Sequence, residues 1–436
     1  MRMRSLSSAL SLVIVLLTPA AVVAQVPANV PLPADIQGEL DGVPYRIRVP
    51  ENWNGTLIVY AHGYGETTVP PALAPLPADM DTLLARGFAL AASRFAGAVP
   101  MSGLASGFGG YQVKQGMQNS VALTDAFKEM VGPPARTILW GKSLGGLIVL
   151  GMIEKFPGLY DGAVALCAAG AGTPRRFDHF LDISLAYAAA FGWDPAWGTP
   201  GDLRDDLDFM VDVRPHFIQH LAPAEFGRWE FFRLVNRLPS DNFYSNPVGL
   251  PERTQVMYFA FAVRAELERR AGGRVAQNIG RVYTLSDSEK SYLAGLGVDA
   301  NGLLATMNQG TVFTASRNAR NYAEHYVDPS GGIRRPVLTV HTTGDTLAPV
   351  FHEHAYAAAV EAQGRGEWLM QQFTGGFKAP SGATANGHCS FTSAQNIAGI
   401  DAMMEWLDTG QRPDTGTYFP AALGFLPGYV PPPWPW

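Results

Sequence analysis

The stretch Thr137-Ile-Leu-Trp-Gly-Lys-Ser-Leu-Gly-Gly-Leu-Ile-Val-Leu150 joins a short apolar run, Thr137 to Trp140, to a second apolar pattern that continues to Phe156. The first has the length of a buried strand and the second that of a helix. Gly141-Lys142-Ser143-Leu144-Gly145 forms the junction. A serine on such a strand-to-helix turn has its hydroxyl projected above the sheet. Flanking glycines remove side chains that would collide with strand and helix. The turn therefore predicts an exposed nucleophile at Ser143, followed by a helix whose N-terminal dipole favours an anion near Leu144.

Outward from this turn the pattern alternates. Gly38 to Pro50 reads as an antiparallel hairpin about Asp41-Gly42, and Thr56 to Ala61 as a buried strand. A helix is expected around Met80 to Arg86, a strand at Phe88 to Ser93, a helix at Val113 to Met130 and a strand at Gly162 to Cys167. From Thr173 to Asp328 the text reads as helices and loops, including a helix from Thr254 to Ala271 and one opened by the capping box Ser286-Asp-Ser-Glu289. Strand and helix then alternate again: Pro336 to His341, His352 to Ala362, Glu367 to Phe373 and Ser393 to Leu407. The Pro-rich tail Leu426 to Trp436 reads as an extended strap lying on the domain. Such alternation marks an α/β fold, a mostly parallel sheet with helices on both faces.

A nucleophilic serine needs a base, an acid to orient it and a place for negative charge to develop. Asp345, in Thr342-Thr-Gly-Asp345, and His388, in Asn386-Gly-His388-Cys389, both follow predicted strands, where ligand sites of open parallel sheets lie. His62-Gly63-Tyr64-Gly65 follows the Thr56 to Ala61 strand, so the Tyr64 and Leu144 amides are the expected oxyanion donors. His62 itself reads as a brace for this loop.

In these motifs, and in the order Ser143, Asp345, His388, the chain resembles the α/β-hydrolase superfamily, within it secreted serine esterases and prolyl-oligopeptidase-like hydrolases. The resemblance covers most of residues 38–172 and 336–410. It implies a large helical lid inserted at 173–328, Ser143 as nucleophile, His388 as base and then acid, and Asp345 as its orienter. His388-Cys389 is also similar to the tannase and feruloyl esterase family, where a disulfide ties the catalytic neighbourhood together. That family has a Cys just before the serine, whereas Lys142 stands here, so its substrate is not carried over. What the resemblance implies is cleavage of a small-molecule or polymer-derived carboxylic ester. A peptidase is the alternative, with Asp205, Asp206 and Asp208 as candidates to grip a peptide amino terminus. A binding protein that kept the fold and lost catalysis is a third reading.

Composition excludes other classes. Of 436 residues, 47% are hydrophobic and 16% charged, with a formal charge of −6, so neither a disordered chain nor a nucleic-acid partner is expected. Arg2 and Arg4, the apolar run Leu12 to Leu17 and small residues to Ala24 form a secretory signal. Its removal leaves 30 basic and 38 acidic residues, a charge of −8, and no stretch long enough to span a membrane. Export to an oxidising compartment allows Cys167 and Cys389 to pair, a question that turns on whether their Cα atoms lie within ~7 Å. No Gly-x-Gly-x-x-Gly follows the first strand, and no cofactor is expected. No metal is expected either: His352 and His354 point about 200° apart on a helix, and His216 and His220 lack a third ligand nearby. The sequence carries no signal of oligomeric state.

Overall fold

The computed structural model describes residues 29–104, 106–245, 251–378 and 382–436. The expected secretory segment at residues 1–24 lies outside the described residues. Eight strands form the main sheet: β1 (Ala34–Leu40), β2 (Val43–Val49), β3 (Thr56–Ala61), β4 (Ala89–Ser93), β5 (Arg136–Lys142), β6 (Gly162–Leu166), β7 (Val337–Thr342) and β8 (Leu369–Thr374). Their order is β1-β2-β4-β3-β5-β6-β7-β8. β2 runs antiparallel to β1 and β4, and every pairing from β4 to β8 is parallel. This is the strand order and polarity of the α/β-hydrolase fold.

The hairpin turns where expected, with Asp41 and Gly42 both at positive φ between the paired Leu40 and Val43. Two such residues match the right-handed twist of the flanking strands. Its first strand begins at Ala34, four residues before the expected Gly38, because Ala34 and Ile36 continue the half-buried alternation.

The strands feed two cores. In β3, Leu57, Val59 and Ala61 join the core containing helices α2 (Val113–Met130) and α3 (Leu144–Lys155), while Ile58 and Tyr60 join that containing α1 (Pro77–Ala85) and α13 (Ser393–Thr409). Both faces are therefore covered, which is why the central strands read as unbroken apolar runs.

Between β6 and β7 the chain is mostly helical: α4 (Thr173–Phe191), α5 (Arg214–Gln219), α6 (Phe226–Val235), α7 (Glu252–Tyr258), α8 (Arg264–Ala271), α9 (Asp287–Gly295), α10 (Ala300–Asn308) and α11 (Arg317–Val327). A π-helical turn, Phe259–Val263, joins α7 to α8. The capping box is formed: Ser286 Oγ accepts from the Glu289 amide, and the Ser286 amide donates to Glu289 Oε2 at 2.7 Å. α4 packs against α6, α10 and α11, and its buried side chains belong to the same core as α2 and α3.

The C-terminal segment runs as an extended strap. The Leu426 amide bonds Phe373 O at 2.9 Å, and Trp434 and Trp436 close on Phe351 of α12 (Phe351–Ala362) with centroids 5.2 and 5.8 Å away. Among the described residues no helix is long and apolar enough to cross a membrane.

Candidate active site

Ser143 follows β5 directly and stands at φ 57°, ψ −118°, a conformation that costs a non-glycine residue on the order of 1–3 kcal/mol. Close approach of backbone to backbone enforces the turn. A Cβ on Gly141 would lie 2.2 Å from Gly145 O, and one on Gly145 would lie 1.9 Å from Ala61 O. Only glycine fits at either place. The Ser143 amide donates to Leu166 O at 2.9 Å, and Ser143 O accepts from the Leu147 amide at 3.0 Å, which seats the residue between β6 and α3.

His388 and Asp345 come to this serine from loops more than 200 residues away. Ser143 Oγ lies 2.7 Å from His388 Nε2, and His388 Nδ1 lies 2.7 Å from Asp345 Oδ2. Asp345 Oδ1 accepts from the Leu347 and Ala348 amides at 2.8 and 2.7 Å. Burial works to raise the Asp345 pKa, but the His388 and His341 imidazoles hold it well below the usual carboxylate range. An ionised Asp345 fixes the proton of His388 on Nδ1 and leaves Nε2 free to accept from Ser143.

The loop bearing His388 is tied down on several sides. Cys389 is disulfide-bonded to Cys167, the residue after β6, with Cα atoms 5.3 Å apart. Thr342 Oγ1 donates to Gly387 O at 2.9 Å. Among the described residues the one close set of three potential metal ligands is Cys167, His388 and Cys389, and its two sulfurs are bonded to each other.

Sequence reasoning missed the layer behind Asp345. His341 is fully buried, with Nδ1 3.0 Å from Glu353 Oε1 and Nε2 2.6 Å from Ala348 O. Burial opposes its charge, yet hydrogen bonds to Asp345 and Glu353 push its pKa up to about 10. Glu353 also accepts from Thr339 Oγ1 at 2.5 Å and Gln371 Nε2 at 2.6 Å. In the sequence His341 is only the end of an apolar strand.

The amides of Tyr64 and Leu144 have no protein acceptor among the described residues, and both residues line the space at Ser143. His62 is buried, stacked on Phe95 at 4.1 Å, with its ring nitrogens 2.8 and 2.9 Å from Gly63 O and Arg94 O. Burial lowers its pKa. Lys142, whose place beside the serine the sequence leaves unexplained, is paired with Glu66 at 2.6 Å, so it joins the serine turn to the Tyr64 loop.

A cleft of about 670 Å³ opens at Ser143 and His388. Its far wall comes from the helical insertion, through Phe209, Met210, Phe217, Ile218, Tyr258 and Phe259. Asp205, Asp206 and Asp208 are not brought to Ser143: Asp206 binds Arg204 at 2.5 Å, and Asp208 caps the turn at Met210 and Val211. Asp206 serves a neighbouring arginine and Asp208 the local backbone, and none of the three lines the cleft at Ser143. His216 pairs with Asp194 at 3.0 Å, His220 packs on Phe191, and His352 Nδ1 accepts from the Ala171 amide.

No family model matches the chain. An o-phthalyl amidase of Xanthobacter agilis is 26% identical over 425 residues, covering 86% of this chain and 87% of that protein. Among solved structures, tannin acyl hydrolase from Aspergillus niger aligns at TM-score 0.42 and 12% identity, over 86% of this chain and 77% of that one. Pyrococcus horikoshii acylaminoacyl peptidase aligns at TM-score 0.41 and 9% identity, over 88% of this chain. The alignment spans 44% of the peptidase.

Proposed function

We propose that the protein is a secreted serine hydrolase that cleaves carboxylic esters through an acyl-enzyme on Ser143. The observation that carries this reading is the unbroken chain from Ser143 Oγ through His388 to Asp345, both links 2.7 Å, at the mouth of the cleft. Ser143 Oγ attacks the acyl carbon while His388 Nε2 takes its proton. The oxygen that becomes negative lies between the Tyr64 and Leu144 amides, each such donor lowering the barrier by about 3 kcal/mol. His388 then protonates the leaving alcohol, activates a water and regenerates the serine. Asp345, ionised and buried, orients the imidazole and stabilises its charged form. The helical insertion acts as the lid that selects substrate. The Cys167–Cys389 bond fits an oxidising compartment, in keeping with a signal at residues 1–24.

A second reading, cleavage of an amide, is favoured by the amidase similar over most of both chains. Oxyanion stabilisation and a serine activated by His388 serve both, and an amide asks in addition that His388 protonate a poorer leaving group. Matched phenyl esters and anilides of one acid separate the two. The ester reading expects the higher kcat/KM on the ester and loss of both activities in Ser143→Ala. Undiminished turnover by Ser143→Ala overturns both readings.

A further inference from the structure

A narrow chamber of about 30 Å³ shares Tyr64, Ser143, Phe259, Leu347 and His388 with the cleft. It has room for one small group. Its other walls are apolar except for Tyr111 and one charged side chain. Arg176, in the first turns of α4, lines it while only 2% exposed.

Among the described residues this guanidinium is paired with no anion. Among the described residues no carboxylate lies within 4.0 Å of it, and Nη2 is buried with no hydrogen-bond partner. Nη1 donates to His179 Nδ1 at 2.8 Å, and His179 Nε2 donates to Asn236 O at 3.1 Å. That pattern makes His179 neutral, in line with the strong lowering of its pKa by burial. The guanidinium lies over the Phe180 ring, 3.8 Å from its centroid. Asp345 exerts the largest favourable pull on it but is already engaged by His388 and two amides. Holding a guanidinium out of water without a paired anion is costly, and the planar fork of arginine matches a carboxylate.

We propose that Arg176 binds a free carboxylate on the acyl half of the substrate. The acyl group is then that of a dicarboxylic acid: one carboxyl is condensed in the scissile bond, and the other enters the chamber as carboxylate. The chamber lies with the nucleophile and the oxyanion amides, where the acyl group is held, and the wide cleft remains for the leaving group. Hydrolysis consumes one water and releases the diacid and the alcohol or amine. This inference rests on Ser143 being the nucleophile.

The test compares half-esters and half-anilides of succinic, glutaric and phthalic acids with the same compounds methylated on the free carboxyl, the rate over Ser143→Ala serving as background. The expected result is a preference of about 10²-fold or more in kcat/KM for at least one anionic member over its methyl ester. In Arg176→Gln that ratio falls toward one, mainly through KM, and Arg176→Lys restores part of it. Equal kcat/KM for every anionic and neutral pair in the wild type overturns the inference and leaves the Ser143 reading standing. Loss of both members of each pair in equal proportion in Arg176→Gln also overturns it, in favour of a structural arginine. Turnover of none of these substrates, with Ser143 still labelled by a fluorophosphonate, overturns the inference and leaves the nucleophile reading standing.

Discussion

His341 Nε2 lies 3.4 Å from Asp345 Oδ2, the same oxygen that accepts from His388. Two imidazoles therefore converge on one buried carboxylate, and the rear one is held charged by Asp345 and Glu353, with its pKa raised from 6.5 to about 10. Because the folded state binds this proton more tightly, the stabilisation is complete below pH ~6.5 and is lost as pH climbs through about 10. Between those values the contribution falls by about 1.4 kcal/mol per pH unit at most. Urea unfolding from pH 6 to 9 is expected to show this decline in the wild type and a flatter profile in His341→Gln. Identical slopes would remove the charged His341 from the account.

Lys142 and Glu66 are partly exposed, at 21% and 33%, so breaking their pair is expected to change stability by no more than about 1 kcal/mol. Activity is expected to be more sensitive, because Glu66 follows the Tyr64 loop and Lys142 precedes Ser143, the proposed nucleophile. Glu66→Gln and Lys142→Met are each predicted to lower kcat about tenfold with little change in KM, as a misplaced oxyanion donor does. A loss confined to KM contradicts this.

The Cys167–Cys389 bond joins residues 222 apart in sequence and anchors the neighbour of His388. Restricting so long a loop in the unfolded chain stabilises the fold by about 5 kcal/mol in the chain-entropy model. Replacing both cysteines with serine is predicted to lower the urea midpoint sharply and to reduce kcat under conditions where the variant is still folded. Unchanged kcat would show that the other ties on this loop, among them Thr342 Oγ1 to Gly387 O, hold His388 unaided.

What the sequence made legible is what local pattern encodes. The helix at Val113–Met130, the buried strands and the capping box at Ser286 rest on short-range periodicity and capping, and they fold where expected. Ser143 and Asp345 were legible because each sits just past a sheet strand, and His388 because it lies in a loop of small residues after the last one; the three do meet. Groups whose meaning is tertiary were not legible. Arg176 falls in a segment that reads only as helices and loops, yet the fold buries it beside Ser143. His341 reads as a strand terminus and Glu66 carries no signal of its own, because partners such as Glu353 and Lys142 lie on other elements. The trio Asp205, Asp206 and Asp208 misled for the opposite reason: Asp206 is engaged by nearby Arg204, and Asp208 by backbone amides and Ser102, away from Ser143.

The central claim is that Ser143 is the nucleophile and that His388 activates it. Treating the intact protein with a fluorophosphonate and locating the adduct by peptide mass mapping tests this most directly. The account predicts one adduct on the peptide containing Ser143, absent in Ser143→Ala and formed at least about 10³-fold more slowly in His388→Ala. An adduct on another residue, or equally rapid labelling of Ser143 in His388→Ala, would contradict it.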